Sequence, residues 1–454
     1  MKLRKISILG LMAILLPVGL MGQENNTQQS MSLEECVNYA LENNRNLKTT
    51  RMEEAIAETQ VGETRSMGLP QVSFSTSANY NYEIRKAFLP TSFITGDPTS
   101  EGFTPVQFSP EYDGNAALSV NQLLFDGSYF VGLQAAKTLR ELRQKESNQS
   151  EIETVEAITK AYYLALITEE RLQLLDANQS QLERVLEETK ALYENGFVEK
   201  IDVDRISVNY NNLQTENTKA QRSYKLSMDM LKFQMGMPLN TDLSLSGKIE
   251  DLTLEAEEYL AKTEEFDYRE RTEFSIIQTN QNLASLDLKN NKATHLPKLY
   301  ANFNYGWNSG VNSSEDLFDF SNNWLSFGAV GVSLQWDLFR GLYRSSKMQK
   351  NRIQIEQLEI QKEQLKSSID MEITRAQNDL KSAKESLDVQ KQNMELAASV
   401  YEQVETKYNN GMASSRELLD AETSKKEAET NYYGSLYDAI IAKIELEKSL
   451  GILY

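Results

Sequence analysis

The sequence predicts a mainly α-helical protein with membrane β-strands, built from two copies of one structural unit. Two stretches of about 65 residues lack the Pro and Gly that would interrupt a helix. Four shorter segments alternate apolar and polar residues, which is the pattern of β-strands with one apolar face. Several short motifs recur about 215 residues further along the chain, which indicates an internal repeat.

The N-terminus is typical of a secretory signal peptide. Three basic residues precede an apolar run at 6–20, and a small residue, Gly22, stands before Gln23. We expect cleavage after Gly22, so residues 1–22 are excluded from the fold. No other stretch approaches the roughly 18 consecutive apolar residues of a membrane-spanning helix.

The internal repeat is carried by two motifs that occur twice. Leu-Phe-x-Gly stands at 124–127 and 338–341, and Tyr-x-Asn-Gly stands at 193–196 and 408–411. Two segments that begin Leu-Pro, at Leu69 and Leu296, are related in the same way. Gene duplication explains the recurrence, and each copy runs helix, strand, strand, long helix, helix.

The repeat divides the chain into four parts. After the signal peptide, the first structural repeat occupies 23–240 and the second occupies 258–454. A polar, acidic connector at 241–257 separates them.

The longest predicted helices cover 128–194 and 342–409, each free of Pro and, after Gly132, of Gly. At about 1.5 Å per residue, a helix of this length extends roughly 100 Å. The other helices are about half as long, so two of them end to end match one long helix. These shorter helices are predicted at 31–68, 197–235, 258–294 and 412–450. Cys36 lies on the apolar face of the helix at 31–68 and is expected in the core.

The four alternating segments are predicted strands. Taken alone, they favour a soluble sheet packed on helices over a transmembrane barrel with lipid outside and water inside. Aromatic residues at strand ends, such as Tyr80 and Trp307, and the export signal favour the barrel instead. The Ser-, Asn- and Asp-rich stretches at 86–112 and 309–326 are predicted as its longer, extracellular loops. The strands are predicted at 69–82, 115–124, 296–309 and 327–338.

Four strands are too few for a membrane barrel, since the smallest known barrels need about eight. The chain must therefore assemble with copies of itself. A dimer would supply eight strands and a trimer twelve, and a ring of long helices would enclose a lumen. The strands and helices by themselves leave the number of copies open.

The composition excludes several classes of function. With 66 acidic against 47 basic side chains, the formal net charge is −19 at pH 7. This balance argues against nucleic acid, which is bound through Lys and Arg that displace its counterions. With one Cys and one His, the sequence offers no intrachain disulfide, no usual zinc site and no Cys–His or Ser–His–Asp centre. We expect no cofactor and no metal.

These features together resemble the TolC-type outer-membrane efflux proteins. The resemblance covers essentially the whole mature chain, from the opening segment 32–48 through both Leu-Pro strands and both copies of the two repeated motifs. It implies a homotrimer in outer-membrane lipid, whose 12-stranded barrel is continuous with a long periplasmic α-helical barrel. It also implies a passive export duct, coupled through a periplasmic adaptor to an inner-membrane pump or secretion ATPase.

Two carboxylates follow the second Tyr-x-Asn-Gly turn. Glu417 and Asp420 are three residues apart and therefore share one helical face. They align with the acidic constriction of the family at the periplasmic entrance, where a trimer would carry six carboxylates and favour cations. Without the resemblance, they would be an ordinary solvated face of an acidic chain.

The resemblance also assigns a gate. Tyr408 aligns with a family tyrosine that hydrogen-bonds an aspartate of the first repeat, for which Asp202 is the counterpart. A second family link, from an arginine to a threonine, is absent, because the aligned residues are Ala413 and Ile201. Arg416, one turn away from Ala413, could take the place of that arginine.

The glycines of the two Tyr-x-Asn-Gly turns have a simple structural explanation. A Gly that follows Asn at a helix end usually adopts the left-handed conformation. In the family these turns are also the docking surface of the adaptor. The resemblance therefore assigns adaptor docking to Asn195, Gly196, Asn410 and Gly411.

Two other classes of protein compete with an export duct. A periplasmic coiled-coil scaffold or adaptor without a membrane barrel would explain the helices, but not the aromatic-ended strands. An enzyme could use a carboxylate pair such as Glu417 and Asp420. A glycosidase needs its two carboxyls facing each other across a cleft, whereas these two share one helical face.

Overall fold

The structure is a computed structural model that describes residues 29–247 and 266–453. The predicted signal peptide and residues 248–265, which include the end of the predicted connector and the start of the predicted second repeat, lie outside the described residues. The helices in these ranges are α1 (Leu33–Asn43), α2 (Arg45–Ser66), α3 (Thr91–Thr95), α4 (Gly127–Glu194), α5 (Lys200–Met235), α6 (Thr272–Ala293), α7 (Ser314–Leu317), α8 (Tyr343–Asn409) and α9 (Ser415–Ser449). The strands are β1 (Gln29–Met31), β2 (Gln71–Tyr80), β3 (Lys86–Pro90), β4 (Phe103–Gln107), β5 (Tyr112–Phe125), β6 (Leu243–Leu245), β7 (Lys298–Val311) and β8 (Leu325–Gln335).

The two long helices agree with the predicted bounds. α4 has 68 residues and α8 has 67, and each begins beside a Leu-Phe-x-Gly motif and ends at a Tyr-x-Asn-Gly motif. The prediction of one helix over 31–68 is wrong, because Asn44 interrupts it. The Asn44 backbone is extended, and its side chain accepts a hydrogen bond from Leu47 N at 3.0 Å, which starts α2 as a separate helix.

The helices form a layer that is four positions wide. α2 and α5 pack on successive parts of α4, while α6 and α9 lie between α4 and α8. Two half-length helices therefore stand end to end beside each long one, as predicted. Within the described chain, the layer has one free edge formed by α2 and α5 and another formed by α8.

Four antiparallel strands form one sheet in the order β2-β5-β7-β8. They correspond to the four predicted strands, and Trp307 of β7 lies opposite Ala116 of β5. The outer strands, β2 and β8, lack a second partner within the described chain. Because β2 follows α2 and β8 precedes α8, the free edges of the sheet and of the helix layer lie on the same two sides.

The predicted loops contain more structure than expected. Residues 86–112 form a hairpin of β3 and β4 with the short α3 at its turn, and residues 309–326 include α7. The hairpin strands have five residues each and include Pro90 and Pro105, so period-two alternation is too short to reveal them.

The largest core cluster lies where α1, α4 and α5 meet. Cys36 is fully buried there among Met228, Met235 and Ile158, which confirms its predicted core position. Burial raises the pKa of the Cys36 thiol to about 12, so the thiol stays protonated at neutral pH. No described helix combines the length and the apolar character needed to cross a membrane.

Candidate functional site at the tip of the helix layer

The long helices end in two matching turns that form the tip of the layer. In the first, Gly196 N donates to the Tyr193 carbonyl and Phe197 N donates to the Leu192 carbonyl, both at 2.9 Å. The second turn repeats both bonds at Gly411 and the residue after it. The φ angles of the two glycines are 76° and 71°, which confirms the predicted left-handed conformation.

The asparagines of these turns have a structural role. The amide groups of Asn195 and Asn410 each donate to a carbonyl four residues back, at 2.7 Å, and so close the last turn of α4 and α8. The residues that follow the glycines, Phe197 and Met412, are 77% and 71% exposed. Sequence reasoning missed this pair, although an apolar residue directly after each motif was the available signal.

Glu417 is held in place by the start of α9. Ser414 N donates to Glu417 Oε2 at 2.7 Å, and Glu417 N donates to Ser414 Oγ at 3.3 Å, which forms a capping box. The backbone N–H of Ser414, and then its hydroxyl, lower the pKa of the Glu417 carboxyl. The carboxylate is therefore fixed in position and ionised at neutral pH.

Asp420 lies on the same exposed side of α9. Its nearest cation is Arg416, with Nε and Oδ2 3.8 Å apart and both side chains largely exposed. Both acids line a groove of about 580 Å³ between α8 and α9. The apolar wall of this groove includes Leu396, Val400 and Met412.

Tyr408 does not bond to Asp202, contrary to the expectation from the resemblance. Its hydroxyl lies 2.9 Å from the Oγ1 of Thr189, a fully buried residue of α4. Since the Thr189 hydroxyl already donates to the Val185 carbonyl at 2.7 Å, Tyr408 is the donor. Burial raises the pKa of Tyr408, and the Asp202 charge adds to that effect, so the phenol remains a donor.

Asp202 makes a different link, between the start of α5 and the start of α9. Its Oδ1 accepts a hydrogen bond from the buried Ser415 hydroxyl at 2.5 Å, and its Oδ2 accepts from Glu199 N at 3.3 Å. Arg416, the next residue after Ser415, points to the exposed side of α9. Its ion pair is with Asp420 on its own helix, so it does not replace the missing arginine–threonine link.

Two hydrogen bonds thus connect the helices at the tip: Thr189–Tyr408 joins α4 to α8, and Asp202–Ser415 joins α5 to α9. Sequence reasoning identified Tyr408 and Asp202 but missed Thr189 and Ser415, because neither stands in a recurring motif. Among the described residues, no group of three or more His, Cys, Asp and Glu side chains is arranged to hold a metal ion.

Comparison with known proteins identifies similar chains. The family model described as "Outer membrane efflux protein" matches residues 36–237 and 270–452. Outer membrane protein TolC of Vibrio cholerae is 23% identical over 432 residues, which cover 93% of this chain and 91% of that protein. Proteases secretion protein PrtF of Dickeya chrysanthemi is 20% identical over 292 residues, 63% of this chain and 60% of that one.

The fold has close structural neighbours as well. The CmeC outer membrane channel of Campylobacter jejuni superposes with a TM-score of 0.71. The superposition covers 99% of this chain and 94% of that chain, at 15% sequence identity. At that identity the likeness concerns the fold, and it extends through the helix layer and the sheet.

Proposed function

The chain belongs to the outer membrane efflux protein family, and on that premise we propose that it works as a passive, gated export duct of the outer membrane that reaches into the periplasm. We further propose that it acts as a homotrimer. The observation that carries this proposal is the pair of free edges of the described chain, because each edge carries an exposed apolar surface.

One exposed apolar stripe runs along α8. Successive members are 7, 11, 18, 7 and 4 residues apart, and each spacing is close to a whole number of 3.6-residue turns. The side chains therefore share one narrow face of the helix, and they are 44–70% exposed. They are Ile353, Ile360, Met371, Val389, Leu396 and Val400.

A second stripe lies on the opposite free edge. On α5 the exposed apolar residues are again spaced by whole helical turns, and α2 continues the edge with Met52 and Ile56. A helix face of this kind is usually buried against another surface. The α5 members, 49–69% exposed, are Ile201, Val208, Leu226, Met230 and Phe233.

These edges fit a head-to-tail ring. The α8 edge of one copy would cover the α2/α5 edge of the next, and β8 would pair with β2 in the same contact. Such an interface joins two different surfaces, and its repetition forms a closed ring when the rotation from one copy to the next is a whole fraction of a full turn. Three copies would supply a barrel of twelve strands, which is within the range known for outer-membrane barrels.

The tip is proposed as the docking site of a periplasmic adaptor that couples the duct to an inner-membrane pump or secretion ATPase. The turns at Asn195–Gly196 and Asn410–Gly411 present the exposed Phe197 and Met412 beside backbone groups. Exposed apolar side chains rimmed by polar groups are typical of protein-binding surfaces. Their twofold occurrence would give a trimer six similar binding positions.

Planar-bilayer recording of the detergent-purified oligomer tests the duct. We expect small, cation-selective conductance steps, with a mass that corresponds to three chains. A silent monomer that remains soluble without detergent would contradict the duct and support a periplasmic scaffold instead.

The gate is tested by removal of the two tip links. Tyr408→Phe removes the bond to Thr189, and Asp202→Ala removes the bond to Ser415. Since one hydrogen bond contributes about 0.5–1.5 kcal/mol, each change should raise the opening equilibrium about two- to tenfold. Single-channel open probability and conductance measure the effect.

Tyr193→Phe is the matched control, because Tyr193 occupies the equivalent position of the first repeat and is exposed. It should leave the channel unchanged. If both gate variants also behave like the wild type, the resting closure depends on other residues.

A further inference from the structure

Above the tip links, α9 is joined to the first repeat by polar side chains, of which Glu429 is buried and Glu422 is half-buried. Glu422 and Glu429 are seven residues apart and therefore lie on one face of α9, two turns from each other. That face is turned toward α4 and α5. The apolar cluster beside it contains residues from both repeats, among them Ile206 and Leu418.

Glu422 contacts α5. Its Oε2 accepts a short hydrogen bond from the Asn209 amide of α5. Lys426, one turn further along α9, forms an ion pair with Glu216, which is also on α5. Burial raises the pKa of the Glu422 carboxyl, although Lys426 and the Asn209 amide act in the opposite direction.

Glu429 is a buried carboxyl that contacts α4. Its Oε2 accepts from the Asn178 amide at 3.0 Å, and its Oε1 lies 3.7 Å from Lys425 Nζ. Lys425 in turn donates to Asn178 Oδ1 at 3.1 Å, which closes a three-membered polar ring between the helices. Burial raises the pKa of the Glu429 carboxyl as well, against the effect of Lys425.

Charged and titratable groups face this pair from every helix packed around it. Lys425 lies over the Tyr401 ring of α8, 5.0 Å from its centroid, and Gln181 of α4 donates to Glu405 of α8. The groups are Glu170 and Arg184 of α4, Glu216 of α5, Tyr401 and Glu405 of α8, and Lys425, Lys426 and Tyr433 of α9.

We propose that Glu422 and Glu429 form a proton-sensitive latch, which holds α9 against the first-repeat helices when protonated and releases it when ionised. The inference rests on the proposed export duct: its gate includes the Asp202–Ser415 bond between α5 and α9, so opening at that bond would move α9 away from α4 and α5. In that motion Glu422 and Glu429 would part from Asn209 and Asn178 and become hydrated.

The direction of the effect follows from the burial. In the closed tip each carboxyl has a pKa above that of an exposed glutamate, about 4.3, and in the open tip it would return to that value. The closed tip therefore binds more protons than the open tip. Acidification stabilises closure, and this contribution is lost as pH rises through the raised pKa values.

Single-channel recording between about pH 5 and about pH 8 tests the latch, since this range lies above the ordinary glutamate pKa. The wild type should open more often as pH rises. The double variant Glu422→Gln/Glu429→Gln keeps the hydrogen-bonding shape of a protonated carboxyl. It should open rarely at every pH and lose the pH response.

Glu427→Gln is the matched control, because it removes one charge from the exposed side of the same helix. It should keep the pH response. Asn209→Asp is a second, near-isosteric test, which places another carboxylate against Glu422. Repulsion between like charges should open this variant severalfold more often than the wild type at neutral pH, and acid should close it.

The latch is overturned if the double Gln variant keeps the pH response of the control, or if Asn209→Asp gates like the wild type. Either result requires working channels and leaves the export duct intact. A wild-type protein that never conducts at any pH would instead overturn the duct itself. A Glu417→Gln/Asp420→Asn variant should keep the pH dependence of opening, which separates the latch from the constriction.

Discussion

Ile360→Asp should prevent the oligomer from forming. Ile360 lies within the apolar stripe of α8 and is 65% exposed in the single chain. Loss of its burial would weaken each interface between neighbouring copies, called a seam below, by about 1.5–3 kcal/mol, and a buried, unpaired carboxylate would cost several kcal/mol more. Every seam of a ring contains the same substitution, so the losses of binding free energy add up. Native mass spectrometry in detergent should show monomers.

Gln361→Asp is the control for this change. Gln361 is the next residue of α8, is exposed, and lies about 100° around the helix from the stripe. It should assemble like the wild type. If Ile360→Asp also assembles, the α8 stripe is not the seam.

A mixing experiment tests the head-to-tail geometry. Leu226→Asp damages the α5 stripe and should also give monomers when expressed alone. In a mixture of the two variants, one intact pairing remains. The undamaged α8 of the Leu226→Asp chain can bind the undamaged α5 of the Ile360→Asp chain. It should form mixed dimers that cannot close a ring. Homodimers of either variant would indicate an interface between identical edges.

Glu417→Gln/Asp420→Asn should abolish most of the cation preference of the channel. At an effective dielectric constant of about 20, a cation about 8 Å from one carboxylate gains about 2 kcal/mol. Six carboxylates at the constriction of a trimer would exceed that, so we expect at least about a tenfold loss of cation over anion preference. Block by multivalent cations should weaken in parallel. Reversal potentials in a salt gradient give the measurement.

The choice of Gln at position 417 follows from the capping box. An amide oxygen can still accept from Ser414 N, so the start of α9 is retained while the charge is removed. Asp204→Asn, which removes an exposed charge from α5, is the control. Unchanged ion preference in the double variant would show that Glu417 and Asp420 do not line the constriction.

The cation preference should persist to a lower pH than it would with a glutamate of ordinary pKa. Because the Ser414 N–H lowers the pKa of Glu417, the contribution of its ionised form is present above the ordinary pKa and is lost only as pH falls through the lowered value. The proposed constriction and the proposed latch should therefore respond to acid differently. We expect the cation preference to persist at pH values at which the open probability has already fallen.

Much of the site could be predicted because its residues belong to recurring local motifs. The left-handed glycines at 196 and 411, their asparagines and the capping position of Glu417 all follow from hydrogen bonds within five residues of the chain. Thr189 and Ser415 stand in no such motif. They matter only because α4 and α9 bring them against Tyr408 and Asp202.

The sequence by itself determined the kinds of element, the ends of the long helices and the two turns at the tip. These depend on backbone preferences and on the period of apolar residues, which act over a few neighbours. The tertiary structure alone decided that Tyr408 bonds to Thr189, that Asp202 bonds to Ser415, and which apolar side chains remain uncovered on α5 and α8. Partners across helices depend on how each helix is rotated about its axis, and one residue corresponds to about 100° of that rotation. No local pattern fixes that angle, because it results from the packing of all the helices together.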